Sequence, residues 1–397
     1  MKDTLTNRIN RLKGDRVIWI IFLVFAMISL AVVYSASSAL AYRSSTTPFS
    51  IMLRQAGYYA FGFLIVLACY RIPLKHYRFW TFFLMGISII LLMIPAMTGR
   101  LRTISILGIS VQPSEIAKIA TVLYLARTIE NSEFKTFKEY ILKILLPLGI
   151  TCILCLMGSV SATLIICFIS FIILVCSKIP RKFILWTTPI AIGALGLIIG
   201  IHALTGAFSR IDTFTARIER HFNNDTAGMS AAELQEQQNK TFQEQQAREA
   251  IQLGGIFGRG PGNSIKRDIL PNAYDDYIYS IIVEEYGLVG GILIILLYLW
   301  FFYRCLKIAN MCKKDFSIIT VLGLSTLITL QAFLHIFVNT GIIPVTGQTL
   351  PMISRGGSSL VIMSSAFGII LSVNRTLEIK NQKLKNDKEA QTCGTES

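Results

Sequence analysis

Two adjacent aspartates stand directly before a long apolar segment that begins at Ile278. A carboxylate of Asp275 or Asp276 at this position could act as a general base toward a weak nucleophile. The alternative is a structural role as a helix cap, because the free N–H groups of a helix N-terminus stabilise a negative charge. Adjacent side chains point in different directions, so one aspartate can cap while the other faces a cavity. Glu284 and Glu285 form a second acidic pair two turns further along, where charges are equally costly.

A second charged motif is Gln-Pro-Ser-Glu-Ile-Ala-Lys at residues 112–118. Pro113 suits the first position of a helix, and Gln112 can cap that helix. Glu115 and Lys118 are three residues apart and therefore share one helix face. Such a pair either neutralises itself inside a bundle or orients a phosphate or an acid beside it.

A third stretch, residues 339–359, is rich in Gly, Pro, Thr and Ser and includes Arg355. Non-helical backbone at membrane depth is tolerated only where protein or a watery cavity satisfies it, so we predict a re-entrant loop that lines a site. Arg355, followed by Gly356, Gly357 and Ser358, offers a planar donor and backbone N–H groups suited to a pyrophosphate. The residues expected to shape the loops around these motifs are Pro113, Pro271, Pro344, Gly347, Pro351, Gly356 and Gly357.

Composition places all three motifs in a membrane protein. Of the 397 residues 53% are hydrophobic and 15% charged, and the mean hydropathy is +0.57. The net charge of +15 comes from short basic clusters between apolar runs. Because the basic residues do not gather on one face, this pattern argues against nucleic-acid binding.

Apolar runs of about twenty residues predict an all-α polytopic protein of about ten transmembrane helices. The helix around residues 114–130 is the weakest of these predictions, because Lys118 and Arg127 interrupt it. The predicted spans are 17–39, 55–72, 79–98, 114–130, 141–157, 161–177, 184–206, 278–303, 316–339 and 356–374.

Most Lys and Arg residues fall in alternate loops and in both tails, which predicts that both termini are cytoplasmic. The domains are then a tail at 1–16, a membrane domain at 17–375 and a cytoplasmic tail at 376–397 that we expect to be disordered. Between helices seven and eight, residues 207–277 form one large extracytoplasmic loop. Within it, residues 231–251 are typical of a solvated helix, and the glycines of 254–262 end that helix.

The motifs, in this order, resemble the SEDS family, which comprises FtsW, RodA and SpoVE. The resemblance covers about 15–375. Thr346, Thr349, Ser358 and Ser359 resemble the FtsW/SpoVE branch more than RodA. The stretches that carry it are 112–118, Gly-Arg-Gly-x-Gly-Asn-Ser at 258–264, Leu-Pro-x-Ala-x-x-Asp-Tyr-Ile at 270–278, 284–290, and the segment from Pro344 through Gly-Gly-Ser-Ser-Leu.

This resemblance implies that the chain is a peptidoglycan glycosyltransferase, polymerising lipid II outside the cytoplasmic (inner) membrane, in FtsW's case at the division septum. It also implies an FtsI-like class B penicillin-binding protein and other divisome proteins as partners. The family's essential aspartate corresponds to Asp276, whereas Asp275 stands where the family more often has Thr. Asp276 would act as the general base on the 4-hydroxyl of the incoming GlcNAc, and attack at the lipid-linked MurNAc would invert an α linkage to β.

Cations must cover the pyrophosphate leaving group in such a reaction. The candidates are Arg102, Lys118 and Arg355, with Glu115 beside them, and a divalent cation such as Mg or Mn is a further candidate. The sequence shows no dedicated ligand cage for a metal and no signature of an organic cofactor.

Several residues depart from the family pattern. Asp275 suggests a base shared between two coupled carboxylates, Arg355 replaces a usual tyrosine, and His335 replaces a frequent asparagine. The acidic loop between helices five and six becomes Met-Gly-Ser-Val at 157–160.

A lipid II flippase, a RodA-like elongation polymerase and a noncatalytic divisome scaffold remain alternatives. Clustering of the charges at one face of the membrane favours the enzyme over the flippase, because alternating access needs polar groups reachable from both sides.

Overall fold

The structure, a computed structural model, describes residues 14–98, 103–106, 109–206, 209–222, 231–270 and 273–395. Helices dominate this part of the chain. Its strands β1 (Ile104–Ile106) and β2 (Ile109–Val111) form one antiparallel hairpin, in which Ile104 pairs with Val111. The hairpin leads directly into the helix that carries Glu115 and Lys118.

Helices occupy all ten segments that the sequence predicts as spans. The helix at the fifth of these segments, 141–157, includes a π-helical turn at Ile141–Leu145. In chain order the helices are α1 (Arg16–Ala36), α2 (Ser38–Arg43), α3 (Pro48–Arg71), α4 (Leu74–Thr98), α5 (Pro113–Asn131), α6 (Phe137–Gly158), α7 (Val160–Val175), α8 (Arg181–Thr205), α9 (Ser209–Phe222), α10 (Ala231–Gly254), α11 (Lys266–Ile269), α12 (Ile278–Met311), α13 (Asp315–Asn339) and α14 (Ser358–Thr395).

Eight helices in the described ranges are long and apolar enough to cross a membrane, namely α1, α3, α4, α6, α8, α12, α13 and α14. The helix α7 is apolar but has only 16 residues. The helix α5 carries the charged residues Glu115, Lys118, Arg127 and Glu130. The protein is therefore an integral membrane protein by the length and composition of its helices.

The charged helix α5 lies inside the bundle. It packs against α4, α7 and α13, and 15 of its 19 residues are buried. A helix enclosed by other helices needs no apolar surface toward lipid, which explains why hydropathy identifies it poorly. By contrast, the most apolar part of α8 has no buried residue, so that helix presents its apolar side chains outward.

Two predictions about the polar segments are wrong. The C-terminal segment expected to be disordered after residue 375 continues α14 to Thr395. The helix α10 is present as predicted, but it is not solvated on all sides, because Gln246, Ala247 and Ala250 are buried and α10 packs against α12. Small alanine side chains three residues apart let the two helices approach closely.

The helix α12 is kinked at Gly287, whose φ of 70° and ψ of −173° are not helical. Residues 254–262, which we call the glycine clasp, lie against this kink. The backbone N–H groups of Arg259 and Gly260 donate to the carbonyls of Glu284 and Glu285 at 3.0 and 2.9 Å, and that of Leu288 donates to Gly255 at 2.9 Å. These bonds replace the helical bonds that the kink interrupts.

Candidate active site

Residues 340–357 form the predicted non-helical loop, and its backbone is satisfied by side chains of the surrounding helices. Four consecutive carbonyls accept hydrogen bonds: Pro351 from Tyr298, Met352 from Tyr59, Ile353 from Ser29 at 2.8 Å and Ser354 from Gln55 at 3.4 Å. Met352 is 2% exposed and has a φ of 65°, a conformation that costs free energy for a residue other than glycine. The surrounding helices therefore hold this turn in one conformation.

The loop holds the segment of the two aspartates. The N–H of Arg355 donates to the carbonyl of Tyr274 at 3.0 Å, and the hydroxyl of Ser354 donates to the carbonyl of Asp275 at 2.9 Å. The Arg355 guanidinium lies 5.0 Å from the centre of the Tyr274 ring, a cation–π contact. Arg355 and the segment of the aspartates are thus in direct contact, and their role as one site stays a prediction.

Asp275 differs from an ordinary surface carboxylate. Burial raises the pKa of Asp275 to about 7, and the neighbouring charge of Asp276 adds to this effect, while Arg355 opposes it. In the described part of the chain, the buried Oδ1 of Asp275 has no hydrogen-bond partner. At neutral pH this carboxyl is therefore close to half protonated, a state suited to giving or taking a proton.

Asn339, at the end of α13, fixes where α12 begins. Its Oδ1 accepts from the N–H of Ser280 at 3.2 Å and from the Ser280 hydroxyl at 2.9 Å, while its Nδ2 donates to the carbonyl of Asp276 at 3.0 Å. The N-cap position of α12 is Tyr277, whose side chain makes no capping bond. The capping role considered for an aspartate is thus taken by an asparagine from another helix, which local sequence cannot reveal.

Glu115 and Lys118 form a buried ion pair, with Lys118 Nζ 2.6 Å from Glu115 Oε1. Lys118 Nζ also donates to Gln331 Oε1 at 2.7 Å, and Gln331 Nε2 donates to the carbonyl of Thr349 at 3.4 Å. The pair is therefore connected to the same loop that holds the aspartates. Lys118 is 1% exposed, so in this structure its charge is neutralised within the protein. Gln112, expected to cap α5, makes no side-chain capping bond.

Glu284 contacts the segment that precedes α12, and Glu285 contacts α1. Glu284 accepts from the hydroxyl of Ser264 at 2.5 Å and from the N–H groups of Ile265 and Lys266 at 2.8 and 3.3 Å. Glu285 accepts a hydrogen bond from Ser35 of α1. The three contacts of Glu284 anchor α11 to α12, a role that the sequence leaves open.

Arg217 of α9 is a cation of this region that sequence reasoning missed. Its Nη1 donates to the carbonyl of Val345 in the loop at 2.9 Å, and its charge acts on Tyr277, next to Asp276. No motif marks it, because α9 lies some 60 residues before the aspartates in the chain.

The remaining predicted residues lie in the loop, at the start of α5 or α14, or outside the described ranges. Ser358 begins α14, and a Cβ on Gly357 would lie 3.1 Å from the Tyr58 ring. Pro344, Gly347, Pro351 and Gly356 belong to the loop, and Pro113 is the first residue of α5. Arg102 and Pro271 lie outside the described residues. Within those ranges, no group of three or more His, Cys, Asp and Glu side chains is placed to hold a metal.

Solved structures share this architecture. One chain, from a structure described as structural coordination of polymerization and crosslinking by a peptidoglycan synthase complex, superposes with a TM-score of 0.68 at 20% identity, over 91% of this chain and 98% of that chain. The rod shape determining protein RodA of Thermus thermophilus superposes with a TM-score of 0.64 at 21% identity, over 92% and 98%. The fold is therefore that of these two polytopic membrane proteins.

The family follows from the sequence match. The model of the FtsW/RodA/SpoVE family, described as cell cycle protein, matches residues 15–379, and the chain belongs to this family. A probable peptidoglycan glycosyltransferase FtsW from Enterococcus hirae is 29% identical over 387 residues, covering 94% of this chain and 96% of the relative. A protein of the same name from Haemophilus influenzae is 29% identical over 395 residues, with 94% of each covered.

Proposed function

We propose that the protein is a peptidoglycan glycosyltransferase that polymerises lipid II on the outer side of the cytoplasmic membrane during cell division. The observation that carries the proposal is the loop 340–357, which holds Asp275, Asp276 and Arg355 in one site. Its connection through Gln331 to the buried Glu115–Lys118 pair adds support. The names of the FtsW relatives supply the substrate class.

The topology in this proposal has ten spans. The short apolar α7 and the enclosed α5 join the eight longer helices, both termini are cytoplasmic, and residues 207–277 are extracytoplasmic. The membrane domain is 17–375, with tails at 1–16 and 376–397. The aspartates then lie at the outer mouth of α12, where a lipid-linked sugar could reach them. The location is the inner membrane at the septum.

In the proposed reaction, the carboxylate of Asp276 takes the proton of the GlcNAc 4-hydroxyl while the oxygen attacks the anomeric carbon of the lipid-linked MurNAc. The bond to the pyrophosphate breaks, and the linkage inverts from α to β. One carboxylate suffices, because pyrophosphate leaves without protonation. Asp275 is the second candidate for the base, since a pKa of about 7 suits proton transfer at neutral pH.

The leaving group needs positive charge beside it. Arg355 is the best-placed cation among the described residues, because it lies against Tyr274 and acts on Asp275. Ser358 follows it at the N-terminus of α14, where backbone N–H groups favour anions. Arg102, Lys118 and Glu115 complete the proposed binding set, the last two as a buried pair that is connected to the loop through Gln331. A divalent cation, Mg or Mn, held with the help of the substrate would share the task. No organic cofactor is required.

The test is polymerisation of lipid II by the purified full chain with an FtsI-like class B penicillin-binding protein. Asp276→Asn should lower the rate by about a hundredfold to ten-thousandfold, which is the usual contribution of a positioned base, and should leave the thermal unfolding temperature unchanged. Asp212→Asn is the control, because Asp212 is 68% exposed and its ion pair with His202, at 2.7 Å, is a surface contact.

The outcomes separate the alternatives. Undiminished polymer synthesis by Asp276→Asn would remove the proposed mechanism, and loss only in Asp275→Asn would move the base by one residue. Movement of lipid II across a vesicle membrane without any polymer would indicate a flippase. Activity only with an elongation-type penicillin-binding protein would indicate a RodA-like polymerase, and absence of both activities a divisome scaffold.

A further inference from the structure

A polar groove lies beside the glycine clasp, away from the residues proposed for catalysis. It has a volume of about 640 Å³ and is lined by Arg259, Gly262, Asn263, Ser264 and Arg267. Two guanidinium groups, an amide and a hydroxyl thus surround one open space. Arginine binds phosphate with several parallel hydrogen bonds, so this lining suits a phosphate better than a neutral ligand.

The groove is built on rigid backbone. A Cβ on Gly258 would lie 2.2 Å from the carbonyl oxygen of Glu285, and one on Gly254 would lie 2.0 Å from that of Val283. The clasp and the kink of α12 are therefore in direct backbone contact. The N–H of Arg259 is held by the carbonyl of Glu284 at 3.0 Å. A site fixed in this way needs little ordering when a ligand binds.

The charges of the groove are unevenly matched. Glu284 already accepts from Ser264 and two backbone N–H groups. Glu285 lies near Arg267, so that their charges interact. Arg267 donates to the hydroxyl of Ser35 at 3.2 Å and lies 3.8 Å from the exposed Asp268. Its buried Nε has no hydrogen-bond partner in the described part of the chain. The Arg267 guanidinium therefore keeps a donor that no described residue satisfies.

Apolar side chains beside the groove place it at the membrane surface. Ile256 and Phe257 of the clasp are 63% and 82% exposed. The N–H of Val289, within the membrane-spanning helix α12, donates to the carbonyl of Ile256 at 3.2 Å. These exposed side chains therefore continue the lipid-facing surface of α12. Arginines at the membrane surface can bind the phosphate of a lipid headgroup, and the exposed apolar side chains beside them can contact the acyl chains.

We propose that this groove binds the phosphate of a lipid headgroup through Arg259 and Arg267. Two lipids share this chemistry, the diphosphate of a polyprenyl-linked substrate and the phosphate of an anionic phospholipid. The first source rests on the proposed function, whereas the second does not. In either case the groove holds a lipid at the outer mouth of α12, outside the candidate active site.

The experiment measures lipid retention by the full chain in phosphatidylcholine nanodiscs, using native mass spectrometry. The two probes are undecaprenyl diphosphate, which carries no sugar and cannot turn over, and phosphatidylglycerol. Arg259→Gln combined with Arg267→Gln should weaken binding of at least one probe by about tenfold or more, because charge-assisted bonds to phosphate are lost. Arg259→Glu alone, at an exposed side chain, should weaken it with an unchanged unfolding temperature. Arg54→Gln, an exposed arginine at α3, is the matched control.

Loss of both probes identifies a general site for anionic lipid, and loss of undecaprenyl diphosphate alone identifies a site for the substrate's headgroup. Unchanged retention of both probes in a folded double variant would overturn the proposal. The proposal would also be overturned if the double variant retained both lipids but no longer bound an acidic segment of a partner protein. A wild-type chain that retains phosphatidylglycerol through these arginines but never polymerises lipid II would remove the proposed function and leave this site standing.

Discussion

Two acidic pairs lie on either side of the start of α12, and they have opposite environments. Asp275 and Asp276 precede the helix and are half-buried, whereas Glu284 and Glu285 lie within it at 0% and 1% exposure. Glu284 accepts hydrogen bonds from Ser264 and from two backbone N–H groups. Asp275 Oδ1 and Glu285 Oε2 are both buried without a hydrogen-bond partner in the described ranges, so the contrast in environment is between Asp275 and Glu284.

The difference shows that the partners of a carboxylate, more than its burial, distinguish a structural group from a reactive one. Donors that converge on Glu284 stabilise its negative charge and fix α11 against α12. Asp275 has burial and a like charge beside it, and both make its proton harder to lose. Glu284 therefore supports the fold, and Asp275 is suited to chemistry.

The largest effect expected on the glutamate side comes from the clasp that faces these residues. Gly258 and Gly262 have nearly the same φ, 79° and 78°. A Cβ at Gly258 would lie 2.2 Å from the Glu285 carbonyl, whereas one at Gly262 meets nothing within 4 Å. Gly262→Ala should cost about 1–2 kcal/mol from the backbone conformation alone, and Gly258→Ala should cost clearly more. Chemical unfolding of both variants in detergent measures the difference, and equal costs would show that the clasp does not hold the kink.

A smaller effect is expected for Glu284→Gln. The amide keeps the shape of the side chain but loses the charge and one acceptor, so the free energy of unfolding should fall by about 1–3 kcal/mol. Polymer synthesis by the folded fraction should stay near that of the wild type. Glu133→Gln is the control, because Glu133 is 85% exposed and pairs only loosely with Lys135. A Glu284→Gln variant that folds as stably as the wild type but has lost its activity would assign the glutamate to the site instead.

Sequence reasoning located the helices because twenty-residue apolar runs and Gly/Pro breaks are local signals. Ten helices lie where the runs predict them, including α5, whose charges hide it from hydropathy. The expectation that α10 is solvated was wrong because burial of Ala247 and Ala250 depends on α12, far along the chain. The helical course of α14 to Thr395 was missed because a polar composition lowers the expectation of order.

The candidate site was predictable in its members but not in its connections. The motifs marked Asp276, Arg355 and the Glu115–Lys118 pair, whose functional roles stay predictions. The bonds that join them pass through Gln331, Asn339 and Ser354. Each of these belongs to a helix or loop whose partner is remote in sequence. A polar side chain in an apolar helix signals a function or a contact, but the contact itself is set by packing.

The finest test of the contrast is the pH dependence of Asp275→Asn. The folded protein keeps the Asp275 proton up to about pH 7, whereas the unfolded chain loses it near the ordinary pKa of 3.8. This carboxyl therefore contributes stability that is full below pH 3.8 and is lost as the pH rises to about 7. The asparagine has no such loss, so its stability relative to the wild type should increase across this interval, by at least about 1 kcal/mol, and then stay constant.

Unfolding temperatures of both proteins from about pH 4 to about pH 8 measure this difference, and Asp268→Asn, at an exposed side chain, is the control. If Asp276 alone is the base, the Asp275→Asn variant still polymerises lipid II. The acid limb of its pH–rate profile then lies at lower pH than that of the wild type. If instead the variant is as inactive as Asp276→Asn, the two carboxylates act as one base. A stability difference that does not vary with pH would mean that Asp275 ionises like a surface aspartate. Asp275 and Glu284 would then differ only in their hydrogen bonds.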